Sequence, residues 1–281
     1  MAAVFSVVTA CLDAAPTIEA AMKSVLAQNS PGLEYIVIDG GSRDGTLEII
    51  EKYRLHLARV ISEPDGGIYD AFNKGVTLAT GDLVGILNAD DQYAPWALAA
   101  VAEAAGNHPK CGVFYGKVAV IDEARRRWTV YPLGDSTQLT ESMCIPHPAV
   151  FVRRALHEKH GPFDTSFKIA GDWDFMLRLH LAGERFCPIG KVLTAFANSG
   201  ASSLVSRRLA AENRRVCFRH LKFLPAAERA VKMELRYIGR KILDISGAYR
   251  AYARCRDVRS AEISGAYEGS LEEVWGALGG A

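Results

Sequence analysis

The stretch Leu83–Asp91, L-V-G-I-L-N-A-D-D, places an apolar run directly before two carboxylates. A short apolar run with branched residues is typical of a buried strand. In an open α/β sheet, ligands bind beyond the carboxyl ends of the strands, where Asp90 and Asp91 would lie. Adjacent carboxylates repel each other unless a cation neutralises them, and Mg²⁺ binds such oxygens together with substrate phosphates. The stretch therefore predicts a metal-assisted diphosphate site, with a solvated acidic loop as the alternative.

The same alternation of strand and helix extends from this strand toward the N-terminus. The predicted strands are Val4–Ala10, Leu33–Asp39 and Arg59–Ser62. Apolar residues at helical spacing predict helices that begin near Ile18 and Leu47, and another over Tyr69–Ala79. Strands that alternate with helices predict a parallel sheet covered on both faces.

The second half of the chain is less regular. Strands are predicted over Cys111–Ile121 and Trp128–Pro132, on either side of a turn that contains three consecutive arginines, 125–127. A helix is predicted over Asp172–Leu181. Apolar positions from Val231 to Tyr249 recur at steps of four and three, which predicts one face of an amphipathic helix.

Composition excludes several classes of protein. The chain has 281 residues, of which 49% are apolar and 23% charged, so it is not disordered, collagen-like or a disulfide-stapled mini-protein. No apolar run reaches the roughly 18 residues of a membrane helix. Residues 1–10 lack a basic leader, so we expect a first strand and not a signal peptide. Six scattered cysteines without a C-x-x-C pair predict neither a zinc site nor a disulfide framework, which favours a reducing cytoplasm.

Charge is distributed unevenly along the chain. Residues 1–206 carry 18 basic and 23 acidic side chains, residues 207–259 carry 15 and 5, and residues 260–281 carry 0 and 4. An amphipathic helix in the basic arm, 207–259, suits peripheral contact with an anionic membrane surface such as the inner face of the cell membrane. A helix packed on the body and a homodimer contact are the alternatives. The acidic body and the lack of a recognised motif argue against nucleic-acid binding.

Three common motifs are absent. The chain has no G-x-x-x-x-G-K-[ST], its glycine-rich stretch 40–45 is not G-x-G-x-x-G, and it has no G-x-S-x-G. These absences disfavour P-loop enzymes, dinucleotide-dependent dehydrogenases and α/β-hydrolases respectively.

Four stretches, in this order, resemble the family 2 glycosyltransferases of the GT-A fold. They are Ser6–Thr9, Val37–Thr46, Leu87–Asp91 and Gly171–Phe175 with Arg178. A further stretch, Ser62–Gly75, is similar to the bacterial subgroup that builds exopolysaccharide and colanic-acid-type surface glycans. The resemblance extends over about residues 4–204.

This resemblance implies an α/β protein of the GT-A type, with a Rossmann-like, mixed and mainly parallel sheet flanked by helices. Residues 1–204 would form the catalytic domain, with a nucleotide-binding half over 1–110 and an acceptor half over 111–204. Residues 205–281 would form a basic helical extension with an acidic tail. The implied activity is inverting, metal-dependent transfer of a sugar from a nucleotide-diphosphate donor, expected to be UDP-linked. A glycan or lipid-linked acceptor in surface polysaccharide biosynthesis would receive the sugar.

The resemblance also assigns the catalytic base. Asp172 matches the aspartate that accepts the proton of the acceptor hydroxyl in this family. Gly171 stands where the family commonly has a glutamate, so the usual acidic pair is missing. Judged on the residues alone, capping a helix N-terminus is an equally good role for Asp172. We expect Asp174 to cap the helix or to face solvent.

The family's nucleotide and metal positions are carried over in the same way. Thr9 and Asp39 would hold the base of the nucleotide. Asn88-Ala89-Asp90 corresponds to a D-x-D-like motif, with Asn88 contacting the nucleotide or a metal-bound water. Asp90 would contact the nucleotide and be the first ligand of a Mn²⁺ or Mg²⁺ ion, with Asp91 as the second.

The predicted helix over Tyr69–Ala79 departs from the family pattern. Phe72 stands where many members carry an arginine that contacts the nucleotide, and a phenyl ring cannot bind phosphate. We therefore expect Asp70 or Lys74 to contact the nucleotide or sugar instead. A solvated helix face is the alternative for both.

Three further residues are candidates for contacts to the acceptor or to phosphate. His147 lies between two prolines that restrict the local backbone, and its ring would bind phosphate or acceptor unless it is structural. Tyr69 and Trp173 would stack on sugar rings, although core packing is favoured for Trp173.

Two other function classes fit parts of the sequence. A nucleotidyltransferase also combines an α/β sheet with an acidic metal site, but it usually has a basic glycine-rich loop, and residues 10–16 contain no Lys or Arg. A non-catalytic scaffold that binds a nucleotide or sugar is kept open by Asn88 and Gly171. Metal-dependent release of UDP would distinguish an enzyme from such a scaffold.

Overall fold

A computed structural model gives the fold of the chain. The residues that it describes are 4–124, 126–197, 207–221, 226–232, 234, 235, 238 and 263–279. Ten strands from these residues form one mixed sheet, and helices pack on both of its faces.

The elements follow the predicted order through the first 90 residues. The strands are β1 (Phe5–Cys11), β2 (Glu34–Asp39), β3 (Arg59–Ser62), β4 (Leu83–Asn88), β5 (Gln92–Tyr93), β6 (Val113–Asp122), β7 (Arg127–Val130), β8 (Val150–Arg153), β9 (Phe186–Ala197) and β10 (Ile263–Ala266). The principal helices are α1 (Ile18–Leu26), α2 (Thr46–Lys52), α3 (Ile68–Leu78), α4 (Ala97–Asn107), α5 (Arg154–His160), α6 (Gly171–Leu181), α7 (Arg207–His220) and α8 (Leu271–Leu278).

The parallel part of the sheet lies in the N-terminal half. Strands β3, β2, β1 and β4 are neighbours in that order, and each adjacent pair is parallel. Strand β8 then runs antiparallel to β4, and β6, β7 and β10 continue the sheet in antiparallel pairs. Strand β9 pairs parallel to β6, with an irregularity next to Lys117. The sheet is mixed, as the resemblance implies, and its direction changes between β4 and β8.

Alternating residues of the central strand β1 enter two different cores. Val8 and Ala10 pack with α3 and α6 on one face of the sheet. Phe5, Val7 and Cys11 pack with α1 and α4 on the other face. All five side chains are buried, as expected for a parallel strand that is covered on both sides.

Parts of the predicted extension pack into the cores of the body. Val216 and Cys217 of α7 are fully buried in the core that also holds α6. Strand β10 pairs with β7, and Val274 and Leu278 of α8 pack against β6 and β7. The residues predicted as an acidic tail therefore supply a strand and a helix that cover one end of the sheet.

The predicted amphipathic helix is only partly described. Residues 226–232 are helical, and Ala226 and Ala230 are buried. Val231, Leu235 and Ile238 of the predicted apolar face are 59%, 64% and 45% exposed. Its continuation, with Ile242, Ile245 and Tyr249, lies outside the described residues, as does Arg125 of the basic turn. Within the described ranges, no helix is both long and apolar enough to span a bilayer.

One prediction about the cysteines is wrong. Cys111 and Cys187 form a disulfide, although they lie 76 residues apart in sequence. The parallel register of β6 and β9 pairs Phe114 with Cys187, which brings the start of β6 next to this cysteine. The spacing of the cysteines in the sequence does not reveal this strand register. Because two cysteines are paired, the cysteines no longer favour a reducing compartment.

Candidate active site

A cavity of about 820 Å³ opens at the carboxyl ends of β1 and β4. Its walls come from the loop after β1, the turn after β4, the start of α3, one face of β6 and the segment that leads into α6. This volume is within the range of sites that enclose a small ligand or cofactor. Its position agrees with the rule that open α/β sheets bind ligands beyond the carboxyl ends of their strands.

Five of the residues predicted from the sequence line this cavity together. They are Tyr69, Asn88, Asp90, His147 and Asp172. They come from α3, from the end of β4 and the turn after it, from the short turn before β8, and from α6. The fold therefore brings residues up to 103 positions apart in sequence to one site.

Asp172 lies in the first turn of α6 and its carboxylate is held by two donors. The Trp173 amide donates to Oδ1 over 2.8 Å, and the Tyr69 hydroxyl lies 3.3 Å from the same oxygen. Burial raises the pKa of Asp172, while the His147 ring and these two donors partly oppose the rise. A carboxylate with a raised pKa that borders a cavity is a stronger proton acceptor than an ordinary aspartate.

Tyr69 connects α3 to the segment before Asp172. Its hydroxyl lies 2.5 Å from the carbonyl oxygen of Ile169, to which it donates. Its ring is buried and stacks on Phe163. Tyr69 thus fixes the position of the Asp172 carboxylate relative to α3. The predicted stacking of Tyr69 on a sugar stays a prediction.

His147 faces the cavity with its ring stacked on Phe72. The two ring centroids are 5.3 Å apart and the planes differ by 5°. Burial lowers the pKa of His147, and the negative charge of Asp172 opposes that change. Phe72, which replaces the family's arginine, therefore supports the imidazole instead of binding phosphate.

Asn88 and Asp90 supply the oxygen atoms at the end of β4. The Asn88 Oδ1 atom is buried and has no hydrogen-bond partner, although a buried amide oxygen normally has one. Burial raises the pKa of Asp90. Within the described ranges no group of three His, Cys, Asp or Glu side chains forms a metal-ligand cluster. One carboxylate and one amide oxygen fit Mg²⁺ or Mn²⁺, because such ions commonly take few protein ligands and complete their shell with phosphates and water.

The structure does not support Asp91 as the second metal ligand. Its side chain is fully buried, and Asp91 is not among the residues that line the cavity. The Asn88 amide donates to Asp91 Oδ2 over 3.2 Å. Asp91 therefore orients the Asn88 side chain from the buried side of the turn.

Thr9 also lies off the cavity, contrary to the prediction. It is fully buried, and its hydroxyl pairs with the Tyr35 hydroxyl over 3.0 Å. Asp39 is fully buried as well and accepts hydrogen bonds from the hydroxyls of Ser42 and Ser62 and from the Gly41 amide. A nucleotide base that approached Asp39 would have to displace one of these donors.

Asp70 and Lys74 lie on the side of α3 that does not line the cavity. Asp70 accepts from the Gly66 amide over 2.9 Å and pairs with Lys74 at 3.6 Å. Lys74 also pairs with Glu63 at 2.8 Å. Neither residue lines the cavity, because α3 presents its aromatic side to it, so their nucleotide contacts stay a prediction.

Trp173 and Asp174 are internal residues. Trp173 is buried, and its indole donates to the Leu139 carbonyl over 2.8 Å, so it cannot stack on a sugar. Asp174 neither caps the helix nor faces solvent. It is buried and pairs with Arg178 at 3.1 Å and with His220 at 2.7 Å. Because His220 belongs to α7, this network joins α6 to α7.

Gly171 stands where a side chain would collide with Tyr69. A Cβ atom at Gly171 would lie 2.8 to 2.9 Å from three carbon atoms of the Tyr69 ring. The Tyr69 ring is held by its hydrogen bond to Ile169, so it cannot move away easily. The family's glutamate is therefore incompatible with this arrangement of Tyr69.

We expect Gly171→Ala to lower the free energy of unfolding by about 1 to 3 kcal/mol, as overpacking of a filled core does. Urea denaturation measures this change. Gly190→Ala is the matched control, because a Cβ there meets no atom within 4 Å. Equal stability of the two variants would show that Tyr69 is not packed against Gly171.

Two lysines of the cavity were not predicted. Lys168 lines the wall before α6, and its ammonium group donates to the Gly66 carbonyl. Lys117 lies at the irregularity of β6. Neither belongs to a motif that the sequence analysis identified, and only the fold places the two positive charges next to the cavity of Asp90.

Two comparisons of sequence identify relatives. A sequence profile described as "Glycosyl transferase family 2" matches residues 6–161. The chain is 34% identical over 181 residues to a PGL/p-HBAD biosynthesis glycosyltransferase of Mycobacterium tuberculosis (strain ATCC 25177 / H37Ra), a match that covers 63% of this chain and 70% of that one.

Solved structures share the fold at lower identity. S. aureus TarS 1-349 in complex with UDP-GlcNAc superposes with a TM-score of 0.64 at 20% identity, over 84% of this chain and 73% of that one. The mannosyltransferase PcManGT from Pyrobaculum calidifontis, in complex with GDP-Man and Mn²⁺, gives 0.62 at 21% identity, over 100% and 80%. These likenesses agree with a GT-A fold, and because the profile matches more than half of the sequence, the chain belongs to glycosyl transferase family 2.

Proposed function

We propose that this glycosyltransferase moves a sugar from a nucleotide-diphosphate donor to an acceptor hydroxyl with inversion at the anomeric carbon. The observation that carries the proposal is that Asp172 borders the same cavity as Asn88 and Asp90. One part of the cavity then offers a proton acceptor and another offers oxygen ligands for a cation. A sugar diphosphate bound between them has its anomeric carbon in reach of a hydroxyl held by Asp172.

The reaction is a single displacement. The acceptor oxygen forms a bond to the anomeric carbon while the bond from that carbon to the diphosphate oxygen breaks. The hydroxyl proton passes to the Asp172 carboxylate, and the nucleoside diphosphate leaves. One displacement at one carbon inverts its configuration. Tyr69 orients the base, since its hydroxyl lies 3.3 Å from Asp172 Oδ1.

Asp90 and the Asn88 Oδ1 atom would hold a Mn²⁺ or Mg²⁺ ion. Such an ion, when bound, neutralises charge on the departing diphosphate. Lys117 and Lys168 also line the cavity and add positive charge to it. We expect a UDP-linked donor, in line with the family resemblance. One solved neighbour of the fold is in complex with UDP-GlcNAc and another with GDP-Man, so the nucleotide base of the donor has to be determined by experiment.

The acceptor side of the cavity is apolar. Val118 and Val120 line it from β6, and Phe196 of β9 is the register partner of Val120. Leu133 and Met143 also line this region. A sheet face of this kind suits an acceptor with an apolar part next to its reacting hydroxyl, such as a lipid-linked glycan in surface polysaccharide biosynthesis. A role at the inner face of the cell membrane is consistent with such an acceptor.

Calorimetric titration of UDP and of GDP, each with Mn²⁺ and with a chelator, tests the donor site. We expect UDP to bind about tenfold or more tightly with Mn²⁺ than with chelator, and GDP to bind more weakly. Stronger binding of GDP would change the donor base but not the reaction. Binding of neither nucleotide under any condition would contradict the proposal and favour a non-catalytic scaffold.

A further inference from the structure

Glu212 of α7 holds the backbone immediately before the catalytic base. Its Oε2 atom accepts from the amides of Lys168, Ile169 and Ala170 over 3.1, 2.8 and 3.0 Å. Its Oε1 atom accepts from the Lys168 amide over 3.0 Å. The carboxylate is buried, with 9% exposure. Three consecutive amides therefore converge on one buried carboxylate.

Glu212 holds the segment that enters α6 and also accepts from the amide of the N-cap residue of that helix. The N-cap residue of α6 is Ala170, whose side chain cannot accept a hydrogen bond. The amides at a helix N-terminus need an acceptor, and the helix dipole favours a negative charge there. Of the three bonded amides, only that of Ala170 belongs to the N-terminus of α6, and the other two lie in the segment before it. Glu212 therefore fixes this entry segment and places a negative charge near the positive end of the helix dipole. Charge-assisted bonds of this type are roughly twice as strong as bonds between neutral groups.

The segment held by Glu212 leads directly to the active site. Lys168 and Ile169 line the cavity, and Asp172 follows two residues after the last bonded amide. The Ile169 carbonyl accepts the hydrogen bond of Tyr69, whose hydroxyl also contacts Asp172. Movement of Ile169 would therefore displace Tyr69 and Asp172 together.

We propose that Glu212 is a positioning residue for Asp172, so that α7 completes the active site although it lies outside the residues 6–161 that match the family profile. The inference rests on the proposed role of Asp172 as base. Without the Glu212 carboxylate, the three amides lose their acceptor and the 168–172 segment is free to shift. A displacement of about 1 Å in a catalytic group lowers turnover by as much as about 100-fold.

The test compares transfer kinetics of Glu212→Gln and Glu212→Ala in the full chain. We expect kcat to fall about 3- to 10-fold in E212Q, which retains one oxygen acceptor, and about 10- to 100-fold in E212A. The donor KM should change less than kcat, because the proposed donor ligands Asn88 and Asp90 lie outside the segment that Glu212 holds, and only Lys168 lies within it. Rates are divided by the number of UDP-binding sites from calorimetry, which removes the effect of unfolded protein. Glu234→Ala, which removes an exposed partner of Arg214 on α7, is the matched control and should keep the normal rate.

A double variant separates positioning from general loss of structure. Because Glu212 acts through Asp172, E212A combined with Asp172→Asn should be no slower than D172N alone. A further loss in the double variant, or unchanged kcat in E212Q and E212A, overturns the inference. If E212A does not fold, E212Q alone and combined with D172N decides the question. Full activity of D172N itself would instead refute the proposed function, so the two failures are distinguishable.

Discussion

Replacing Asp172 by asparagine should lower kcat about 10²- to 10⁴-fold, the usual contribution of a general base. The amide has nearly the same shape as the carboxylate and still accepts from the Trp173 amide. It cannot take the proton of the acceptor hydroxyl. We therefore expect the affinity for UDP with Mn²⁺ to change less than threefold. Steady-state transfer assays and calorimetry of the same preparation measure the two quantities.

Asp82→Asn is the control for this substitution, since Asp82 is an exposed aspartate outside the cavity. It should retain full transfer. A D172N variant that turns over at the normal rate would remove Asp172 as the base and leave the helix-capping role that the residues alone allow. A variant that loses donor binding in the same proportion as turnover would indicate a folding defect.

The pH profile adds an independent readout of the same residue. Burial raises the pKa of Asp172, so this carboxylate becomes protonated at a higher pH than an ordinary aspartate. A protonated carboxyl cannot accept a proton. The acidic fall in kcat/KM should therefore begin at a higher pH than the ordinary aspartate pKa of about 4 would give. Because burial also raises the pKa of Asp90, the comparison is made at saturating donor and Mn²⁺, where the acidic fall in kcat should be absent from D172N.

Asp90 can be proposed from the local pattern of the sequence, whereas Asp172 is proposed as the base only through the family resemblance. Asp90 comes straight after the apolar run of β4, and Asp172 opens a helix with clear apolar spacing. Parallel strands then force the ends of β1 and β4 to the same edge of the sheet. Element type and order thus suffice to predict that side chains at the ends of these two strands share a site.

The predictions that fail concern residues that are adjacent in sequence to cavity-lining residues but are themselves buried. Thr9 is fully buried within β1, whereas Ala10 and Cys11, whose side chains enter opposite cores, line the cavity because they lie at the carboxyl end of the strand. Asp91 follows three consecutive residues that line the cavity, 88–90, but is itself buried. A motif that names consecutive residues cannot settle which of them faces the ligand.

Other features depend on contacts between distant segments. The Cys111–Cys187 disulfide needs the register of β6 and β9, and Glu212 finds its three donors only once α7 packs on α6. A buried glutamate looks like any other glutamate in the sequence. The sequence shows that Phe72 departs from the family pattern. It does not show that the Phe72 ring stacks on His147, because that contact depends on the fold.

Replacing Asp90 by alanine should weaken UDP binding in the presence of Mn²⁺ about 10- to 100-fold. The substitution removes the carboxylate that we propose as a metal ligand and leaves Asn88 Oδ1 as the other proposed ligand. With a chelator present, the variant and the natural protein should bind UDP equally, because the lost interaction passes through the cation. Calorimetry under the two conditions therefore separates loss of a metal ligand from loss of a direct nucleotide contact.

Turnover should respond more strongly than binding to the loss of Asp90. Negative charge on the diphosphate grows as the bond to the sugar breaks, so a cation stabilises the transition state more than the bound donor. We expect kcat/KM of D90A to fall about 10³-fold or more, with little recovery when Mn²⁺ is increased. An unchanged dependence of binding on Mn²⁺ in D90A would place the cation elsewhere. A loss of UDP affinity that persists in chelator would instead assign Asp90 to the nucleotide, since the chelator removes only interactions that a metal mediates.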